Sequence, residues 1–83
     1  MTVLKYPLAT EKAVGLITKG NTIIYVVDSR ATKAQIKQEF QTTFNVKVSD
    51  VRTVNMPRNE KRAYIKLSKE SSAGDIAMKL KLV

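Results

Sequence analysis

The segment Thr22–Val27 (TIIYVV) decides the fold, because every residue in it is β-branched or aromatic. A run of this kind without polar alternation is typical of a central strand that is covered on both faces. Asp28-Ser29 follows it with turn-forming residues, and Gly20-Asn21 precedes it with residues that commonly end helices. The first prediction is therefore a sheet that has this segment near its centre.

Two elements are predicted before this strand. Val3–Tyr6 is short and apolar and is followed by Pro7, which favours a brief edge strand. Thr10 can cap a helix, and Glu11 suits the positive end of that helix. The apolar positions of this helix recur with helical spacing at Ala13, Val14, Leu16 and Ile17.

The clearest helix signal follows the central strand. Thr32 and Gln35 have the spacing of a capping box, in which each side chain bonds the backbone of the other residue. Ile36, Phe40 and Phe44 recur every four residues and predict one buried ridge, and Asn45 can end the helix in the left-handed conformation.

A β-hairpin is predicted next. Val46–Met56 is extended, and its apolar phase changes twice. A bulge near Ser49-Asp50 would explain one of these changes. Pro57–Glu60 is a turn, and Lys61–Lys69 alternates cleanly. On that second strand Ala63, Ile65 and Leu67 share one face, and Arg62, Tyr64 and Lys66 share the other.

Ser72 can cap a last helix that carries Ile76 and Leu80 toward the core. The predicted order is β-α-β-α-β-β-α, and the predicted fold class is α+β. We expect one domain spanning residues 1–83, with helices packed on a mainly antiparallel four-stranded sheet.

Composition restricts the function. The 83 residues include 15 Lys and Arg against 7 Asp and Glu, giving a net charge of +8. There is no Cys or His, which excludes disulfides, thiolate nucleophiles, imidazole bases and the usual zinc ligands. Such a charge favours association with polyanions. We expect a soluble, cytoplasmic, basic binding protein without a metal, a cofactor or membrane insertion.

Basic residues form three groups, of which the smallest is Lys12 beside Thr10 and Glu11. On the second helix, Lys33 and Lys37 flank the apolar ridge, and Arg30 continues the same strip. On the hairpin the basic residues are Arg52, Arg58, Lys61, Arg62 and Lys66, with Tyr64 between two of them. A cationic strand with an aromatic suits RNA phosphates and one stacked base.

Plainer explanations stay open at this point. The helix lysines are also compatible with an ordinary solvated surface, and the hairpin charges with an edge strand protected against aggregation. Tyr64 is equally compatible with packing on a cross-strand neighbour. Glu11 and Lys12 are compatible with a solvated first helical turn.

An enzyme is not expected. Arg30 and Asn55 are the pair that a phosphate-handling enzyme such as an acylphosphatase would use, but no glycine-rich loop surrounds Arg30. No carboxylates stand three or four residues apart, as acid–base catalysis on a helix would favour. We therefore predict no catalytic residues.

Five further segments are distinctive. They are Pro7–Ala13 (PLATEKA), Ala31–Lys37 (ATKAQIK), Phe44–Val48 (FNVKV), Val51–Asn55 (VRTVN) and Lys61–Leu67 (KRAYIKL), the last followed nine residues on by Ile76. Together they resemble the universal large-subunit ribosomal protein family numbered twenty-three. The similarity covers nearly the whole chain in the right order.

This resemblance implies a structural protein bound to large-subunit rRNA at the rim of the polypeptide exit tunnel. It implies a neighbour from the ribosomal family numbered twenty-nine, and transient contacts with the signal recognition particle and the translocon. Glu11 matches the acid that docks a tunnel-exit factor in bacterial relatives. The predicted rRNA-binding residues are Lys12, Arg30, Lys33, Lys37, Arg52, Asn55, Arg58, Lys61, Arg62, Tyr64 and Lys66.

One departure limits the comparison. Bacterial members carry a long hairpin loop that enters the tunnel, whereas Pro57–Glu60 leaves room only for a tight turn. The chain resembles the short archaeal type, so a tunnel-lining loop is not expected and the partner of Glu11 stays open. The alternative from another class is a stand-alone protein–protein adaptor whose charge serves solubility.

Overall fold

The predicted order of elements and the α+β class are confirmed by a computed structural model that describes residues 3–8, 10–57 and 60–80. The strands are β1 (Leu4–Pro7), β2 (Thr22–Val27), β3 (Val48–Met56) and β4 (Glu60–Leu67). The helices are α1 (Glu11–Gly20), α2 (Lys33–Phe44) and α3 (Ala73–Lys79).

The strands form one antiparallel sheet in the order β1-β2-β4-β3. Strand β1 is an edge and β2 is central, as predicted, and residues 23–27 of β2 are all buried. The register of β3 on β4 shifts between Val48 and Asp50, which confirms the predicted bulge. Met56 pairs with Glu60 across the hairpin, and residues 58–59 of the predicted turn lie outside the described residues.

The two faces of the sheet are different. The covered face carries Ala63, Ile65 and Leu67 of β4, and these residues join one apolar core with α2 and α3. The opposite face, which we call the open face, carries the alternate residues of β4, and on β2 it carries Ile24 and Val26, which are buried. Because side chains alternate along a strand, this division follows directly from the sequence pattern of the hairpin.

Helix α2 supplies the centre of the core. Ile36 and Phe40 are completely buried, and the ring of Phe40 packs edge-on against Tyr25 with centroids 6.2 Å apart. The Phe44 ring lies 4.6 Å from the Phe40 ring but remains half-buried at the end of the helix. The predicted ridge is therefore present, with its last member at the border of the core.

The caps of α2 also match the prediction. The hydroxyl of Thr32 accepts the N–H of Gln35 at 3.2 Å, and the Gln35 side chain accepts the N–H of Thr32 at 3.0 Å. Asn45 ends the helix with φ of 54°, in the left-handed region. These bonds satisfy backbone groups that have no partner within the helix.

Asn21 joins three elements at one end of the sheet. It ends α1 in the left-handed conformation, with φ of 50°. Its Nδ2 lies within hydrogen-bonding distance of the carbonyl oxygens of Leu67, Ser68 and Ser71, at 3.0 to 3.3 Å. Its Oδ1 accepts the N–H of Ala73 at 2.7 Å. One side chain thus connects the end of β4 and the start of α3 to the end of α1.

Candidate nucleic-acid interface

Strand β4 presents a row of polar side chains on the open face. Arg62 and Tyr64 are half-buried and Lys66 is exposed. Strand β4 lies between β2 and β3, so it is not an edge strand. Protection of an exposed edge therefore does not explain the charges of Arg62 and Lys66. That explanation still applies to Arg52, which lies on the edge strand β3.

A cleft of about 340 Å³ lies on the open face beside the C-terminal half of α1. Tyr64 and Lys66 of β4 lie between Thr22 on one side and Arg52 on the other, since these residues pair across the strands. The described lining residues are Leu16, Gly20, Thr22, Asp50, Arg52, Tyr64 and Lys66. The cleft combines an aromatic ring with two cations.

A second, shallower groove of about 180 Å³ lies on the other side of β3, between that strand and α2. Lys33 and Lys37 line it together with Ser49, Asp50 and Val51. Asp50 also lines the first cleft, so the two depressions meet at the β3 edge. The helix lysines and the hairpin cations, which are far apart in sequence, therefore flank the same strand.

We call Lys33, Lys37, Arg52 and Lys66 the β3-edge cations. All four are exposed. Within the described ranges 3–8, 10–57 and 60–80, none of them forms an ion pair or a side-chain hydrogen bond. With no described partner, these four charges are available to neutralise an external anion.

Two other predicted cations are engaged within the protein. Arg62 Nε lies 3.2 Å from Glu60 Oε2, and both side chains are about one-third exposed. The hydroxyl of Tyr6 donates to the other Glu60 oxygen at 3.5 Å. Lys61 Nζ donates to the carbonyl oxygen of Ala31 at 2.7 Å and so ties β4 to the start of α2.

Of the remaining predicted residues, neither Arg30 nor Asn55 lines the cleft. Arg30 is exposed beside Asp28, with its Nε 3.6 Å from Oδ1 of that residue. The Arg30 backbone N–H donates to the same oxygen at 2.8 Å, and this bond is the main cause that lowers the pKa of Asp28. Asn55 is exposed on β3 opposite Lys61, away from the cleft, and Arg58 lies outside the described residues.

Glu11 and Lys12 are both exposed in the first turn of α1. Lys12 lies on the same helical row as Leu16 and Gly20, four and eight residues on, but it does not line the cleft itself. Glu11 points about 100° away from that row, and about 14 Å of helix separate it from Gly20. The two neighbouring charges thus face different directions.

Some cleft residues were not predicted from the sequence. Leu16, Gly20 and Thr22 line the cleft only because α1 packs beside β2, which local sequence patterns do not reveal. Asp50 had a usable signal, since it is an acid between Lys47 and Arg52 in a hairpin whose only other acid is Glu60. Its side of the sheet depends on the bulge that precedes it.

Neither metal chemistry nor a membrane span is indicated by the described part of the chain. Within it, no group of three His, Cys, Asp or Glu residues is placed to hold a metal ion. None of its helices is long and apolar enough to cross a bilayer.

These features define the class of small, basic α+β binding domains. Comparison with known proteins is more specific. The family described as Ribosomal protein L23 matches residues 2–81. The large ribosomal subunit protein uL23 of Pyrobaculum aerophilum is 47% identical over 78 residues, covering 94% of this chain and 96% of the relative. The protein of the same name from Methanococcus aeolicus is 38% identical, covering 94% of this chain and 91% of the relative.

The chain therefore belongs to the ribosomal protein L23 family. It is a structural protein of the large ribosomal subunit, where it is surrounded by rRNA and other ribosomal proteins. Proteins of this family are not enzymes, which confirms the prediction that the chain is not a catalyst. The predicted cytoplasmic, ribosomal location is confirmed by the same relatives.

Proposed function

We propose that the β3-edge cations anchor this protein to large-subunit rRNA at the rim of the polypeptide tunnel exit. The observation that carries the proposal is that four exposed cations without a described partner lie on or beside strand β3, two of them in the cleft that contains Tyr64. The position at the tunnel exit is supported by the family resemblance of the segments that contain these residues.

Binding would depend mainly on phosphate neutralisation. Lys33 and Lys37 are one helical turn apart, about 6 Å along the axis of α2, and both line the same groove. Arg52 lies on the edge strand β3, and Lys66 lies on the neighbouring strand β4. An RNA backbone passing over this edge would meet both pairs and release counterions from each contact.

The salt dependence of binding tests this proposal. With four phosphate contacts we expect log K for an rRNA fragment to fall by about three to four per tenfold rise in salt. Replacing both Arg52 and Lys66 by Ala should reduce the slope by about two. Lys79→Ala, which removes an exposed charge from α3, is the matched control and should leave the slope almost unchanged. A wild-type slope shallower than about one would show that these cations are not the contact surface.

We propose a second role for the first turn of α1, namely docking of factors that meet the emerging chain. Glu11 is exposed, and no described residue forms an ion pair with it. Pressed against phosphate at about 4 Å it would be repelled by about 4 kcal/mol at an effective dielectric of 20. It is better placed to pair with a basic residue of a visiting factor such as the signal recognition particle or the translocon.

Ribosome assembly and factor binding separate these two roles. Glu11→Lys should leave incorporation into the large subunit intact and weaken co-sedimentation of a tunnel-exit factor. Arg52→Glu combined with Lys66→Glu should impair incorporation first. Equal loss of incorporation in both variants would contradict the division of surfaces. We expect the wild-type protein to stay on the subunits through a moderate salt wash, which a stand-alone adaptor would not survive.

The same assembled subunits test the predicted neighbour, the ribosomal family numbered twenty-nine. Crosslinking from single cysteines introduced at exposed positions should identify it, because the chain has no cysteine of its own. A crosslink to that protein supports the proposal, and crosslinks only to other neighbours would contradict it.

A further inference from the structure

Asp50 is the only acid among the described residues that line the cleft on the open face. It pairs in register with Lys66 and also borders the groove that contains Lys33 and Lys37. Its exposed carboxylate nevertheless lies more than 4 Å from the charged nitrogens of all three lysines. An ion pair with one of these lysines therefore does not explain why an acid is found at position 50. The negative charge of Asp50 weakens the attraction of this surface for phosphate.

The cleft has the dimensions of a site for one base. It extends across β2, β4 and β3, a width of two strand spacings or about 10 Å. Leu16 and Gly20 of α1 form one wall, Tyr64 is at the centre, and Asp50 and Arg52 form the opposite wall. A planar base stacked on the Tyr64 ring would present its edge toward β3.

We propose that this cleft holds one unpaired base of the bound RNA and that Asp50 selects guanine. The inference rests on the proposed function, since it names the nucleotide that the rRNA-binding surface recognises. Tyr64 provides the stacking surface, and Arg52 and Lys66 contact the flanking phosphates. Asp50 accepts hydrogen bonds from the edge of the base.

The chemistry of the base edges determines the choice. Guanine carries N1–H and the 2-amino group side by side, so both oxygens of one carboxylate can accept hydrogen bonds. Uracil offers one N–H between two carbonyl oxygens. Adenine and cytosine place a ring nitrogen lone pair beside their amino group. For these three bases a carboxylate gains at most one bond and meets a lone pair.

The experiment compares RNA pentamers of sequence UUXUU, in which X is G, inosine, A, C or U, binding to the intact chain at constant salt. Dissociation constants are taken from NMR titration of the Asp50, Arg52 and Tyr64 signals. We expect G to bind about tenfold more tightly than U, within the range of a bidentate base contact. Inosine, which lacks only the 2-amino group, should fall between them.

Two variants test whether Asp50 causes the preference for guanine and whether Tyr64 provides the stacking. Asp50→Asn keeps the shape but leaves one acceptor, so the ratio of U to G dissociation constants should shrink to about two or less. The ratio is the readout because removing a negative charge also tightens binding of every pentamer. Tyr64→Leu should weaken all five pentamers by about tenfold through lost stacking. Thermal melts establish that both variants remain folded.

The outcomes separate the inference from the proposed function. Equal affinities of the wild type for all five pentamers would overturn the guanine site. A strong salt dependence of the same titrations would still support rRNA binding. Binding that is absent or insensitive to salt for every pentamer and for a longer rRNA fragment would overturn both.

Discussion

The covered and open faces of the sheet are built from the same strands but have different roles. On β4, Ala63, Ile65 and Leu67 are at most 2% exposed, whereas Lys66 between the last two is exposed to solvent. The covered face is where apolar burial stabilises the fold. The open face carries charges that folding does not require. Substitutions on the two faces should therefore have separable effects on stability and on binding.

A second contrast runs across the open face. Toward β1, Glu60 bonds both Arg62 and Tyr6, so these charges and polar groups are satisfied within the protein. Toward β3, the described neighbours of Arg52 and Lys66 offer no such partner. A count of basic residues does not distinguish these regions. The two regions differ in whether their cations have a partner within the protein. This difference is the reason why we expect the binding surface at β3.

The largest effect should come from the covered face. Phe40→Ala should lower the free energy of unfolding by about 3–5 kcal/mol, because it leaves a cavity between Tyr25 and Phe44. Chemical denaturation measures this change. Lys66→Ala on the open face is the control and should stay within about 0.5 kcal/mol of the wild type. A thermal midpoint within a degree or two of the wild type in Phe40→Ala would contradict the central position of this residue.

Asn21, at the end of the sheet, should give the next largest effect. Asn21→Gly keeps the left-handed backbone but removes the side-chain bonds to β4 and α3, which should cost about 2–3 kcal/mol. Asn21→Ala should cost about 1 kcal/mol more, because a Cβ is disfavoured at this φ. Denaturation of both variants separates the bonds from the backbone. If the two are equally stable, the left-handed conformation does not survive in Asn21→Ala.

The contrast within the open face predicts a small difference between two arginines. Arg62→Ala removes a partly exposed ion pair and should cost up to about 1 kcal/mol. Arg52→Ala should change stability by less than about 0.5 kcal/mol but should weaken rRNA binding more strongly than Arg62→Ala. Parallel melts and RNA titrations of the two variants check this. A larger binding loss in Arg62→Ala would reverse the assignment of the binding side.

The smallest expected effect is a change in thermal stability at low pH. The Arg30 N–H lowers the pKa of Asp28 below its usual 3.8, so the folded state holds this carboxylate ionised more readily than the unfolded chain does. Its contribution to stability is present above about pH 4 and is lost as the pH falls through the folded pKa. Between pH 5 and pH 2 the wild type should therefore lose slightly more thermal stability than Asp28→Asn. An identical loss in both proteins would remove Asp28 as the cause.

Much of the fold was predictable because its signals are local. The capping box of Thr32 and Gln35, the left-handed Asn21 and Asn45, and the alternation of β4 all depend on residues within one turn or strand. Strand order was not predictable, since the same succession of elements is compatible with more than one arrangement of the four strands. The order places β4 inside the sheet, and this is what removes the edge-strand explanation for its charges.

The candidate site was predictable only in part. The alternation of β4 already put Arg62, Tyr64 and Lys66 on one face, and the same alternation shows that Lys61 points with Ala63 to the other. The approach of Lys33 and Lys37 to β3 depends on the packing of α2, which is a tertiary contact. The rRNA-binding and docking roles of all the named residues stay predictions until the experiments above are done.

The strand order also has a consequence for how the chain folds as it is synthesised. Strand β4 follows the other three strands in the sequence, yet it lies between β2 and β3. Until β4 has left the ribosome, β1 and β2 can form only a two-stranded ribbon and β3 has no partner. We expect nascent chains that stop before residue 60 to remain protease-sensitive. Compact structure should appear abruptly once β3 and β4 can form their hairpin and β4 can pair with β2.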